Sequence, residues 1–450
     1  MIQAGVSVEV SFTDLTRDGA GIGRAGEEVF FVPGALPGER ARVRPLRRAR
    51  SHWTGSLLEL LSAAPGRRRP PCILADHCGG CTLQHLDDRE EQRWKGTSVR
   101  ETLRRIGRLE TDVQEILAAP DHLGYRNRAI IPLARGADGR LRAGYFRRGS
   151  HRIVNMNRCP VLDPRLDALI APLKADLDRS RWPADHDLGS RDGLRHLALR
   201  LGVRTGEVLL TLVSSTARLE GVEELASAWM RRWPQVIGVC LNLQPEPTNT
   251  LMGRETAVLA GRGWVEERFA GLTLRIGPDT FFQVHTGQAE RVVPLFLGAL
   301  GEAHDGLLVD AYCGIGTFGL PAAAAGWQVH GIEASPEAVR RAMENAAANG
   351  LQARTSFEAG VVAERLAPVL PRCRALFVDP PRKGLEPATL ESVLACPPET
   401  LVYLSCDPAT LARDLGRLAD SGPFRLGSAT PIDFFPNTSH VETLAVLRRS

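Results

Sequence analysis

The sequence predicts an α/β protein with a small N-terminal β-barrel, a central α+β segment carrying four clustered cysteines, and a C-terminal doubly wound domain. Three observations predict it. Short strand-like runs separated by glycine and proline turns fill residues 1–62. Cys72, Cys78, Cys81 and Cys159 crowd the first half of the segment 63–275. From residue 276 onward, apolar strands alternate with helical stretches, the pattern of a mostly parallel sheet that binds ligands at the carboxyl ends of its strands.

In the first segment Val6–Phe12 alternates as a strand, Arg17–Arg24 reads as a glycine-rich turn, and Glu28–Val32 runs into Pro33-Gly-Ala-Leu-Pro-Gly. Arg40–Arg44 and Gly55–Leu61 are further strands. That many strands in about 60 residues suggest an oligonucleotide-binding type of barrel, whose curved face suits single-stranded RNA. Net charge is only +4, but nine arginines and a single acid, Glu59, lie between Arg40 and Arg69. That density can neutralise nucleic-acid phosphates.

The middle segment is less regular. Arg89–Leu109 reads as a basic helix, and alternating strands return around Leu194–Val213 and Val236–Asn242. The composition is that of a globular protein, 24% charged and 43% hydrophobic. Its longest apolar runs, such as Gly319–Gly326, fall far short of the roughly 18 residues of a membrane span. No secretion signal opens the chain, so a cytoplasmic location is expected. In that reducing compartment the nine cysteines are not expected to pair as disulfides. Cys72-x5-Cys78-x2-Cys81 together with Cys159 gives four thiolates, which suit an iron–sulfur cluster or a structural zinc, and spacing alone does not separate them.

In the last segment, strands at Gly306–Asp310, Gln328–Ile332, Ala375–Asp379 and Leu401–Ser405 alternate with helices such as Pro336–Asn349 and Pro408–Leu418. Asp310-Ala-Tyr312-Cys-Gly314-Ile-Gly316-Thr317 is a strand running into a glycine turn, where a ligand can approach the backbone closely. Glu333 follows at the next strand end, the place of a ribose-binding acid. The GxG turn, without GxGxxG, fits a nucleoside bearing a sulfonium, S-adenosylmethionine, better than it fits a dinucleotide. A third strand ends in Asp379-Pro-Pro-Arg382, which leaves Asp379 facing the donor site. Arg382 stands where enzymes acting on amino groups carry a stacking aromatic, which speaks against an amine acceptor.

Cys406 lies where a strand ends and Asp407-Pro408 opens a helix. A thiol at a helix N-terminus is expected to have a lowered pKa. Carbon 5 of a uracil ring is too poor a nucleophile to attack a methyl sulfonium unaided. A thiolate added to carbon 6 creates an enolate that can, and a base must then take the carbon-5 proton. Glu442, opening a final apolar strand at Thr443–Leu447, is the candidate base.

Together these stretches resemble the bacterial 23S rRNA (uracil-5-)-methyltransferases of the TrmA/RumA superfamily. The matching lines are Phe281-Phe-Gln283-Val, Asp310–Thr317, Asp379-Pro-Pro-Arg-Lys-Gly, Ser405-Cys-Asp-Pro-Ala-Thr and Phe435-Pro-x-Thr-x-His-Val-Glu. The resemblance implies a TRAM RNA-binding barrel at 1–62 and a Rossmann-like class I methyltransferase domain at 276–450. It implies Cys406 as nucleophile and Glu442 as base. Gln283, Tyr312, Gly314, Thr317, Glu333 and Asp379 would contact S-adenosylmethionine, with Thr317 standing where some relatives carry Asn. For the four cysteines it favours a [4Fe-4S] cluster in a structural role. The resemblance also implies that the target uridine is flipped out of its RNA fold. The barrel and the cysteines favour rRNA over tRNA, and no protein partner is implied, so a monomer is expected. Alternatives are a tRNA 5-methyluridine enzyme and a non-catalytic rRNA-binding assembly factor.

Overall fold

Alternation in the first 62 residues sends small and apolar side chains inward and arginines outward. In the computed structural model of the chain, which describes residues 2–187, 192–246, 248, 250–303, 306–420 and 422–450, this makes a closed barrel. Its strands are β1 (Val8–Leu15), β2 (Ala20–Ala25), β3 (Glu28–Pro33), β4 (Arg40–Arg48) and β5 (Trp53–Ser62), joined in the order β1-β2-β3-β5-β4. Val10, Phe12, Phe30, Val32, Ala41, Val43 and Trp53 form its core. On β4, Ala41, Val43 and Pro45 point inward while Arg40, Arg42 and Arg44 stand outside. The expected glycine turn at Arg17–Arg24 is mostly strand β2. Gly21 and Gly23 are there for close packing, since a Cβ on Gly23 would sit 2.6 Å from Val10 Cγ1.

The middle segment begins with helix α1 (Asp88–Gly107), capped by the Asp87 carboxylate. Its sheet contains β6 (Arg128–Arg135), β7 (Leu141–Ala143), β8 (Leu194–Leu201), β9 (Val208–Ser214), β10 (Val236–Leu243) and β11 (Glu255–Gly261), in the order β11-β10-β9-β8-β6-β7. Helices α2 (Pro164–Ser180) and α3 (Val222–Arg232) contribute Leu166, Leu169, Ala226 and Trp229 to the core on one face. The expected inside–outside alternation fails for β8 and β9, which are buried along their whole length. The second face is covered as well: Leu209 and Cys240 belong to the same core as Val265, Phe269 and Phe282 of the C-terminal segment.

That segment opens with a hairpin, β12 (Val265–Phe269) and β13 (Leu272–Ile276), and helix α4 (Thr286–Leu300). A seven-stranded sheet follows. Its strands are β14 (Leu307–Ala311), β15 (Gln328–Glu333), β16 (Thr355–Ala359), β17 (Cys373–Val378), β18 (Thr400–Ser405), β19 (Phe424–Ile432) and β20 (Glu442–Arg449). Helices α5 (Gly319–Ala324), α6 (Pro336–Ala348), α7 (Val362–Arg365), α8 (Pro387–Ala395) and α9 (Pro408–Asp420) connect them. The order is β16-β15-β14-β17-β18-β20-β19, with the first five parallel and β20 antiparallel between β18 and β19. The order reverses at β14, between β15 and β17, so a ligand crevice opens at the carboxyl ends there. The middle segment wraps this sheet. Helix α1 lies on α9, where a Cβ on Gly416 would come 3.0 Å from the Gly107 carbonyl, and Val113 and Leu117 pair along β19. Among the described residues, no helix is long and apolar enough to cross a membrane.

Candidate active site

The crevice begins at the turn after β14. Tyr312 takes a left-handed backbone, φ 73°, which a tyrosine adopts only where its surroundings impose it. The constraint is visible: the backbone N–H groups of Tyr312 and Cys313 both donate to the Ile332 carbonyl, at 2.9 and 3.1 Å. Glu333, at the end of β15, accepts from Gly314 N (3.1 Å) and Ser335 N (2.8 Å), so its carboxylate spans both loops. Thr317 and Gln283 are buried beside this turn and the β13–α4 loop respectively, and the Gln283 carbonyl is held by Asn127 Nδ2 at 2.8 Å.

Asp310, in sequence only the acid before the turn, is a buried carboxyl whose hydrogen-bonding neighbour in the protein is the Gly319 backbone N–H. Burial, and then the charges of Asp379 and Glu333, push its pKa up to about 8. Asp379, just past β17, is pushed up to about 7 by burial. A crevice that crowds buried carboxyl groups together, with no cationic side chain among the described residues paired to them, is chemically suited to a cation.

Cys406 follows β18, and Glu442 opens β20, whose Thr443 pairs with Ser405. Since β17 and β20 lie on either side of β18, Asp379, Cys406 and Glu442 come together at the carboxyl end of the parallel strands. Glu442 is buried, not solvent-facing, and its Oε2 has no partner. Burial, with Asp379 adding to it, holds its carboxyl well above the usual range, and Arg382 opposes the shift.

The expected lowering of the Cys406 pKa is corrected by the structure. Its thiol is raised, first by burial, then by the charges of Glu442 and Asp379, while Arg382 pulls it down. The helix start is present but already served by another group, because the Asp407 carboxylate accepts from Ala409 N (3.0 Å) and Thr410 N (3.4 Å). Arg382, in sequence only a missing aromatic, is thus the cation that acts on both the Cys406 thiol and the Glu442 carboxyl, and it contacts the His440 ring at 3.3 Å. Burial and Arg382 push His440 down to about 4, so its ring is neutral at physiological pH.

The loop Asp379–Gly384 is fastened to α9. Arg413 Nη2 donates to the Lys383 carbonyl (2.9 Å) and Thr410 Oγ1 to that of Arg382 (3.1 Å). Gly384, at φ 76°, packs where a Cβ would lie 2.5 Å from Asp414 Oδ2, so only glycine fits. The loop carrying Glu442 is fastened from the other side. Fully buried Lys95 of α1 donates to Glu91 (2.6 Å), Asp433 (2.7 Å) and the Phe435 carbonyl (3.1 Å). Asn437, at φ 68°, donates its backbone N–H to Glu91 and its amide to the His122 carbonyl, and accepts from Arg68.

The four cysteines of the middle segment do come together. Cys72, Cys78, Cys81 and Cys159 line one cavity of about 50 Å³ with Gln84, Arg126 and Tyr145. All four are free thiols. Burial and their mutual charges raise Cys78, push Cys81 up to about 12 and Cys159 up to about 11. Among the described residues, no group of three or more His, Cys, Asp or Glu side chains is arranged so as to hold a metal ion.

A TRAM-type barrel joined to a class I methyltransferase sheet defines an RNA methyltransferase. The model of the tRNA (uracil-5-)-methyltransferase family matches residues 265–450, and that of the TRAM domain matches residues 3–44. A protein named as an RNA methyltransferase from Parasynechococcus marenigrum is 54% identical over 99% of this chain and 96% of its own. One from Synechocystis sp. is 43% identical over 99% and 96%. Among solved structures, the Pyrococcus abyssi tRNA (uracil-54, C5)-methyltransferase in complex with S-adenosyl-L-homocysteine superposes with a TM-score of 0.78. It shares 26% identity, over 98% of this chain and 99% of that one. The chain belongs to the RNA (uracil-5-)-methyltransferase family of the TrmA/RumA superfamily.

Proposed function

We propose that the protein uses S-adenosylmethionine to methylate carbon 5 of a uridine in 23S rRNA, with Cys406 as nucleophile and Glu442 as base. The observation that carries this reading is the meeting of Asp379, Cys406 and Glu442 at adjacent strand ends, next to the turn that Glu333 closes. The Cys406 thiolate adds to carbon 6 of the uracil, and the enolate carbon 5 takes the methyl group from the sulfonium. Glu442 then removes the carbon-5 proton, and the returning electron pair expels the thiolate. Asp310 and Asp379 complement the positive charge of the donor. That charge in turn favours the ionised forms of Cys406 and Glu442, which burial alone disfavours. Gln283, Tyr312, Gly314 and Thr317 line the remaining donor contacts in this reading.

RNA enters from the barrel side in this account, its uridine flipped into the site. The division into 1–62, 63–275 and 276–450, a cytoplasmic location and a monomeric state belong to the same reading. The motif resemblance supports rRNA. A tRNA substrate is the second reading, favoured by the Pyrococcus enzyme: it matches this chain nearly end to end, so the domain layout does not by itself separate the two. Nucleoside mass spectrometry of unmodified 23S rRNA and bulk tRNA, each incubated with the protein and donor, decides it. New 5-methyluridine in rRNA is expected. The mark in tRNA alone would move the substrate, and no mark in either would leave a non-catalytic assembly factor.

The four thiols around one cavity fit a four-thiolate group in their chemistry, since thiolates gathered in a buried pocket call for a cation to compensate them. Cys72, Cys78, Cys81 and Cys159 would hold a [4Fe-4S] cluster that pins the middle segment and supplies no reaction step. Structural zinc is the alternative. Iron, sulfide and zinc analysis of anaerobically purified protein separates them, with iron and sulfide expected.

A further inference from the structure

The turn between β1 and β2 leaves the barrel and reaches the methyltransferase sheet. Thr16 accepts from Ala20 N at 3.0 Å through its hydroxyl, and Gly19 sits where a Cβ would come 2.8 Å from Thr82 Oγ1. At the tip, the Arg17 guanidinium donates through Nη2 to Asp407 Oδ2. The two partners differ in setting: the Arg17 side chain is 63% exposed, that of Asp407 only 2%. Asp407 follows Cys406 directly, and its other oxygen caps α9. One exposed barrel residue therefore holds the carboxylate on which the geometry after β18 depends.

We propose that Arg17 is a positioning residue for Cys406, gripping the Asp407 cap so that the barrel and the nucleophile move as one piece. The inference rests on the reading of Cys406 as nucleophile, and deepens it. Electrostatically, the charges that act on the Cys406 thiol are Glu442 from β20, Asp379 from the end of β17 and Arg382 from the loop beyond it, and Asp407 is its neighbour in the chain. His440 is neutral. Arg17 is the cation paired with Asp407. Without it, the Asp407 charge next to the thiol stands uncompensated except by two backbone N–H groups. Only one nitrogen of Arg17 is used by Asp407. Binding of RNA along the barrel therefore has a direct mechanical route to the nucleophile.

The test is the rate of alkylation of Cys406 by iodoacetamide across pH, read by peptide mass spectrometry on the RNA-free full chain. Wild type, Arg17→Ala and Arg17→Lys are compared. In Arg17→Ala the profile is expected to move upward by roughly half a pH unit, and in Arg17→Lys to return most of the way. In turnover, Arg17→Ala is expected to lower kcat by roughly ten- to a hundredfold, with a smaller change in KM for RNA. Asp407→Asn keeps a capping oxygen but drops the charge, so its effect and that of Arg17→Ala on kcat should be strongly non-additive. An unchanged alkylation profile, with a rise in KM alone and additive effects, would mean that Arg17 merely touches RNA, and would overturn the proposal. Alkylation does not depend on Cys406 being the nucleophile. Undiminished turnover in Cys406→Ala would therefore sink that reading separately.

Discussion

Asp379 and Glu442 stand on either side of the β18 strand end with Cys406 between them, and burial, with the charge of Asp379 added to it, raises the Glu442 carboxyl well above its usual range. With Asp310 pushed up to about 8 and Asp379 to about 7, the crevice is a place where negative charge is held back until a cation arrives.

A pH linkage follows from this crowding. The folded pKa values are raised, whereas in the unfolded chain the same carboxyls ionise near their ordinary values. The folded state thus binds more protons between about pH 4 and pH 8, and the stability of the cofactor-free protein falls as pH rises through that window. A sulfonium reverses the penalty. S-adenosylmethionine should therefore raise Tm more at about pH 8 than at about pH 6, and S-adenosylhomocysteine, neutral at sulfur, should show little such difference. Equal pH dependence for the two ligands in a thermal-shift series would contradict the electrostatic reading.

Lys95 ties α1 to the loop that precedes Glu442. Removing its ammonium in Lys95→Met leaves Glu91 and Asp433 buried without their cation, an arrangement costing about 3–5 kcal/mol. Urea unfolding should show that loss. In Lys95→Met/Glu91→Gln, with one carboxylate neutralised, part of it should return. A stability change below about 1 kcal/mol in the single variant would show the triad to be dispensable.

On the barrel, several arginines counted in sequence as phosphate ligands are already engaged. Arg40 pairs with Glu9, Arg42 with Glu59, Arg48 with Glu28, and Arg67 with buried Glu39. The first three are exposed pairs of small worth, which phosphate can displace, whereas Arg67 is structural. Arg44 stands outside on β4 with no salt bridge among the described residues. Arg44→Ala should weaken RNA binding and lower the salt slope of log K by about 1. Arg67→Ala should instead lower the melting temperature. A titration against salt concentration, with the slope unchanged in Arg44→Ala, would remove β4 from the RNA path.

The parts of this site legible in sequence are those whose chemistry is local. The turn from Asp310 to Thr317, Glu333 at the next strand end and Asp379 at the third are each set by a few consecutive residues on a parallel sheet, which brings strand ends together whatever lies between. What sequence could not supply are relationships across the chain. Arg17 and Asp407 are 390 positions apart, and Lys95 and Asp433 are 338. The direction of the Cys406 shift was misread for the same reason. A helix start is visible locally, but burial of the thiol, together with Glu442 and Asp379 reaching it from other strands, outweighs it. Gly21 and Gly23 read as a turn because glycine marks both turns and tight packing, and only the barrel interior decides between them.

The most direct test of the central claim uses Glu442→Gln with unmodified RNA and S-adenosylmethionine. Without the base, the carbon-5 proton stays and the thiolate cannot leave. Expected is a denaturation-resistant protein–RNA adduct, mapped by mass spectrometry to Cys406 through a methylated dihydrouridine, together with a fall in turnover of at least about a thousandfold. An enzyme that turned over normally without such an adduct would contradict it.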